Sequence, residues 1–139
     1  MNEFQERLEE LLLEKGISRL KLANEIQVSS TTINGYFNDD YFPQMNIALK
    51  MCKFFECSLD YLFGLSDNRL NKERNNNTFF KNLKEIMKNK SIAKVMKDLK
   101  MSENNYYRWR DGKYPKTINI IDVAKYFDVS VDYLVGNGK

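Results

Sequence analysis

Histidine is absent from the 139 residues, while cysteine occurs twice, proline twice and glycine six times. Without histidine there is no imidazole for acid–base or triad chemistry, and none to complete a zinc set. Cys52 and Cys57 stand five apart, which is not a metal-ligand spacing, and neither has a histidine to activate it as a nucleophile. The few glycines form no phosphate-cradling motif, and no clustered carboxylates mark an acid–base pair. An enzyme is therefore the least expected class, and no metal or cofactor is expected. No apolar stretch approaches the length of a membrane span, and the acidic start Asn2-Glu3-Phe4-Gln5-Glu6 does not read as a signal peptide. The expectation is a soluble, cytoplasmic protein with no membrane contact.

What the chain does contain, it contains twice. The run Phe54-Phe55-Glu56-Cys57-Ser58-Leu59-Asp60-Tyr61-Leu62-Phe63-Gly64 returns as Tyr126-Phe127-Asp128-Val129-Ser130-Val131-Asp132-Tyr133-Leu134-Val135-Gly136. This offset of 72 also carries Pro43 onto Pro115. Upstream it becomes 73, matching Val28-Ser29 with Met101-Ser102 and Tyr36 with Trp109. Nearer each start it is 75, pairing Phe4, Leu8 and Leu11 with Phe79, Leu83 and Ile86. Small deletions at turns, with helical segments in register, are the mark of a duplicated helical domain; a repeat this long is two domains, not a solenoid. The expected division is an acidic domain over 1–67, a linker over 68–78 and a basic domain over 79–139. Cys52 aligns with Ala124 and Cys57 with Val129, so both cysteines read as small buried apolar residues.

Apolar residues recur at helical spacing, as in Leu8, Leu11 and Leu12, or Ile120, Val123, Ala124 and Phe127. The pattern predicts five helices in the first domain: Asn2–Lys15, Ser18–Ile26, 30–37, 46–55 and 59–63. Ser18, Ser29 and Ser58 serve as N-caps, with Gly16 and Gly64 as stops. The second domain repeats the plan near 79–89, 91–99, 103–110, 118–127 and 131–135, capped by Ser91, Ser102 and Ser130. The intervening segment is polar and proline-free, and its triplet Asn75-Asn76-Asn77 reads as a flexible joint.

The net charge of +3 conceals an asymmetry. Residues 1–67 hold six cations against eleven anions, a balance of −5; residues 68–139 hold sixteen against eight, a balance of +8. A contrast of this size points to a nucleic-acid contact on the basic side.

Two of these helices joined by a tight turn and followed by a proline-marked loop form a known pattern. It rests on Ser18, Leu22, Ala23, Ile26, Val28, Ser29, Thr32, Ile33 and Tyr36, then Pro43 and Phe55-x-Cys57-Ser58-Leu59-Asp60-Tyr61-Leu62. In the second domain it rests on Trp109-x-Asp111-Gly112-x-x-Pro115, then Ala124-x-x-Phe127-x-Val129-Ser130-Val131-Asp132-Tyr133-Leu134. Each domain resembles the Cro/C1-type (XRE-like) helix-turn-helix family. The fold this implies is all-α, two tandem five-helix lambda-repressor-like domains joined by a polar linker.

The resemblance implies a sequence-specific DNA-binding transcriptional regulator, a repressor by expectation, whose partner is double-stranded DNA. Such a motif lays its second helix in the major groove. In the second domain that helix offers Glu103, Asn104, Tyr107 and Arg108 to base edges, while Lys94, Lys97, Arg110, Lys113 and Lys116 face phosphates. Tyr106 and Trp109 fall on core positions. The first domain is the weaker reader, with Arg19, Ser30, Thr31 and Asn34 as its candidate contacts. Its Asp39-Asp40 loop is repelled by phosphate and, with Tyr41 and Phe42, suits a protein contact, although both aromatics can equally tuck into the core. Met45 and Met51 are further interface candidates. The first domain then serves as auxiliary reader or dimerisation module. The alternative is a protein-interaction regulator, antirepressor or antitoxin-like, with a degenerate first helix-turn-helix. A homodimer or a regulatory protein partner is compatible with either. About ten linker residues span at most ~35 Å, close to the ~34 Å between half-sites, so one chain can act as a pseudo-dimer.

Overall fold

The computed structural model describes residues 2–38, 42–70 and 74–137. The chain divides into two compact units, Met1–Lys72 and Glu73–Lys139. The first contains α1 (Glu3–Lys15), α2 (Arg19–Ile26), α3 (Ser30–Asn38), α4 (Met45–Phe55) and α5 (Leu59–Leu62). The second contains α6 (Phe79–Ile86), α7 (Ile92–Asp98), α8 (Asn104–Arg110), α9 (Thr117–Phe127) and α10 (Val131–Val135). Among the described residues the only extended pairing is an isolated bridge between Asn75 and Asn137.

Short polar side chains start most of these helices by accepting from otherwise orphaned N–H groups. Asn2 and Gln5 cap α1 reciprocally, and Ser18, Ser58, Ser91 and Ser130 each accept from the third residue on. Ser29 Oγ accepts from the Thr32 N–H at 3.1 Å, and Ser102 Oγ from the Asn104 N–H at 3.3 Å. Thr78 caps α6, a role the sequence reading did not give it.

The first unit closes its core around Phe4, Leu8, Leu11, Leu22, Ile33, Met51, Phe55, Leu59 and Leu62, all buried. Met45 and Met51 belong to this core, which removes them as interface candidates. Phe4 meets Tyr36 edge-on at 6.0 Å between ring centroids and Phe63 at 6.1 Å. Buried Gln5 ties the start of α1 to the end of α3, its Nε2 donating to the Tyr36 carbonyl at 2.6 Å. Cys52 and Cys57 are buried free thiols. In the second unit Phe79 packs edge-on to Trp109 at 5.6 Å, and Phe80 lies against Tyr106 at 5.2 Å. Tyr106 and Trp109 are buried, as core positions require.

Equivalent positions anchor the last helix of each unit by different chemistry. Arg7 Nη1 donates to the Tyr61 carbonyl at 2.9 Å, with its guanidinium 3.7 Å above the Tyr61 ring. Its repeat partner Asn82 is 2% exposed and donates to the Tyr133 carbonyl at 2.9 Å. A cation with a long stem and a short amide thus each add a side-chain donor to the same helix-end acceptor.

Of the expected linker, residues 68–70 and 74–78 are described, and several of them bond into the flanking units. Arg69 pairs with Glu14 at 2.8 Å and donates through Nη2 to the Phe55 carbonyl at 2.7 Å. Its own carbonyl accepts from the Ser58 N–H at 2.7 Å. On the other side, the Asn75 N–H donates to the Gly136 carbonyl at 2.7 Å and its Nδ2 to the Tyr133 carbonyl at 3.0 Å. Asn77 donates to Asn75 Oδ1 at 2.9 Å and reaches Asn82 through its own amide. Asn75 and Asn77 of the triplet thus form a hydrogen-bonded latch on the second unit, because an amide offers donor and acceptor together. One helix is also shorter than expected: α6 stops at Ile86, three residues early, and the chain turns through Met87–Lys90.

Candidate nucleic-acid interface

Both units break between their second and third helices with a non-glycine residue in the left-handed region. Gln27 has φ of 61° and its repeat partner Lys100 has φ of 58°. This residue reverses the chain within a few positions, so the third helix emerges at an angle to the second. The two helices α2 and α3 pack on each other.

On α8, Asn104 and Arg108 are exposed and stand one helical turn apart. Their side chains make no hydrogen bond or ion pair among the described residues. Their neighbours are engaged. The Tyr107 hydroxyl donates to Glu103 Oε2 at 3.3 Å. The Arg110 guanidinium lies 5.0 Å from the Tyr107 ring centroid, and its Nε donates to Asp111 Oδ1 at 2.9 Å. That hydrogen bond holds the Asp111 carboxyl below its ordinary value and pushes the Arg110 guanidinium up. Of the four expected base readers, two therefore bond to each other. The Glu103–Tyr107 and Tyr107–Arg110 pairings obey i,i+4 and i,i+3 spacing, while Arg110 and Asp111 are direct neighbours in the chain.

The expected phosphate contacts divide in the same way. Lys97, Lys113 and Lys116 are exposed, with no ion pair among the described residues. Lys94 instead pairs with Asp98 at 3.2 Å. Asp98 also accepts from the Tyr126 hydroxyl at 2.7 Å, and that bond, then Lys94, lowers its carboxyl from the ordinary value. Tyr126 was not singled out in the sequence, since its partner lies 28 residues upstream.

In the first unit Thr31 and Asn34 are exposed, while Ser30 and Arg19 are half-buried. Arg19 stacks its guanidinium 3.8 Å above the Phe37 ring and reaches Asn34 Oδ1 at 3.4 Å. Three of the candidate protein-contact residues, Asp39, Asp40 and Tyr41, lie outside the described residues. Phe42 is half-buried, with its ring against Phe63 at 5.6 Å and Phe4 at 6.0 Å, so it packs within its own unit. Among the described residues no group of side chains could hold a metal, and no helix is long and apolar enough to cross a membrane.

Short helices, a left-handed turn and an exposed third helix define a helix-turn-helix architecture, and comparison with known proteins agrees. Residues 8–62 match the family model described as helix-turn-helix. Over 61 residues the chain is 31% identical to the uncharacterised HTH-type transcriptional regulator YgzD of Bacillus subtilis (strain 168). That match spans 44% of this chain and 92% of the relative. No solved structure matches the chain. The chain belongs to the helix-turn-helix family, and these findings support a DNA-binding regulator of transcription.

Proposed function

We propose that the chain is a repressor built of tandem helix-turn-helix units, in which α8 enters the major groove as the principal reader. The observation that carries this is the availability of Asn104 and Arg108, exposed and unengaged on one face of α8. Asparagine suits adenine and arginine suits guanine, each by two hydrogen bonds. Glu103 and Tyr107 serve as a self-bonded support, while Lys97, Lys113 and Lys116 supply affinity and register through phosphates. The charge of +8 over residues 68–139 favours this end of the chain as the DNA-binding one. The protein would act in the cytoplasm.

The first unit is assigned an auxiliary part, through Arg19, Ser30, Thr31 and Asn34. A second reading of that unit is favoured by its balance of −5 and by Arg19 already engaging Asn34. In it, the first unit docks a protein partner or a second copy, and only the second unit reads DNA.

The test is fluorescence anisotropy of the full chain with labelled genomic duplexes across a salt series. Specific binding with a steep salt slope is expected, strongly reduced by Arg108→Ala and less so by Thr31→Ala, whereas no effect of Thr31→Ala would favour the second reading of the first unit. Loss on Thr31→Ala with no effect of Arg108→Ala would move the reading role to the first unit. Absence of salt-dependent binding would overturn both readings, remove DNA as the partner and leave a protein-interaction regulator, antirepressor or antitoxin-like, in their place.

A further inference from the structure

The two copies of the repeat differ at one corner, where the end of the first helix meets the end of the fourth. In the first unit this corner consists of Leu11, Lys15, Phe54 and Phe55. It is closed: Leu11 and Phe55 are each 1% exposed, and Lys15 Nζ sits 4.7 Å above the Phe54 ring centroid. The equivalent residues of the second unit are Ile86, Lys90, Tyr126 and Phe127. There the same four positions line a surface cavity of about 550 Å³, and Ile86 and Phe127 are only half-buried. The cause is local. α1 continues to Lys15, whereas α6 stops at Ile86, so Lys90 leaves the helix and cannot cover the aromatic pair as Lys15 does.

The opened corner has fixed walls. Tyr126 and Phe127 meet edge-on at 5.0 Å, and the Tyr126 hydroxyl is anchored on Asp98 at 2.7 Å. The first unit has phenylalanine at the Tyr126 position, so this anchor belongs to the second copy alone. Lys90 makes no ion pair among the described residues. Two aromatic rings, an aliphatic side chain and one unpaired cation are complementary to a flat apolar body carrying a negative group. We propose that this cavity binds an aromatic anion of one or two rings, with its ring against Ile86, Tyr126 and Phe127 and its charge on Lys90. The site does not depend on the DNA-binding reading. It does adjoin it, because Asp98 lies on α7 and also holds Lys94.

The test titrates naphthoate into the isotope-labelled full chain and follows backbone amide shifts, with the neutral naphthalenemethanol as control. Saturable shifts confined to the surroundings of Ile86–Lys90 and Tyr126–Phe127 are expected, with weaker binding of the alcohol. Lys90→Glu should weaken naphthoate binding about tenfold by turning attraction into repulsion, and Ile86→Trp should crowd the aromatic wall and weaken it further. Since Lys90 is exposed on a turn, its variant keeps the fold even where Ile86→Trp does not. Shifts that are absent or scattered over both units overturn the proposal. So does equal binding of acid and alcohol, or parental affinity in Lys90→Glu.

Discussion

A Cβ added at Gly136 would lie 2.1 Å from the Asn77 carbonyl oxygen, with φ already at +100°. Its repeat partner Gly64, at φ of +74°, would meet Glu3 Cβ at 2.7 Å. Glycine is needed at both places because the chain leaving the last helix passes against the start of the first. Gly16 has φ of +66° but open space around it. Gly16→Ala should therefore cost only the left-handed backbone penalty, ~1 kcal/mol, whereas Gly136→Ala adds a collision and should cost roughly 3 kcal/mol or more. Urea midpoints of the two variants check the order, and equal losses would contradict the close approach. The opposite change is favourable at Gln27, whose left-handed φ of 61° carries a Cβ; Gln27→Gly should stabilise by up to ~1 kcal/mol. The serine caps were legible because a serine directly preceded each apolar pattern. Thr78 was hidden by the asparagines before it, whose amides looked like solvated linker. Gln27 and Lys100 were illegible as turn residues, since neither side chain signals a left-handed backbone and the tertiary contacts of the flanking helices impose it.

At the scale of one element, α8 separates residues that face outward from residues that face each other. Arg108→Ala should cost ~1–3 kcal/mol of operator binding and relax the preference at one base pair, as read by binding to a set of single-base operator variants. Lys97→Ala should weaken all of those sequences alike and reduce the salt slope by ~1. Asp111 gives the sharper case. Its carboxylate holds Arg110 at 2.9 Å and would itself repel a nearby phosphate. Asp111→Asn should free the guanidinium, raise affinity at low salt and steepen the salt dependence. Unchanged binding would place Arg110 away from DNA. The helices themselves were readable from periodicity, and Tyr106 and Trp109 as core from their alignment with Ile33 and Tyr36 at core positions of the resembled family. The engagement of Glu103 by Tyr107 is not decided by sequence, because an acid and a tyrosine at i,i+4 have the chemistry both of a mutual pair and of two base readers.

Across the whole molecule, the duplication and the charge contrast stood in the sequence, but the fate of the segment between the repeats did not. Arg69 bonds into the first unit and Asn75 into the second through backbone acceptors, and acceptors of that kind leave no trace in composition. Each unit is thus completed by residues that lie outside its repeat. The tandem organisation has a direct spectroscopic test, because the only tryptophan, Trp109, is buried in the second unit. Its fluorescence reports that unit, whereas far-ultraviolet circular dichroism reports the helices of both units. Asn82→Leu removes one of the two side-chain donors to the Tyr133 carbonyl and the side-chain donor to the Leu134 carbonyl and should lower the fluorescence midpoint in urea by the equivalent of ~1–3 kcal/mol. Gln5→Leu removes the donor to the Tyr36 carbonyl in the first unit and should leave the fluorescence midpoint in place while splitting the dichroism transition in two. If Gln5→Leu moves the fluorescence midpoint as far as Asn82→Leu does, the duplicated units unfold as one cooperative body, and a domain-by-domain account of stability fails.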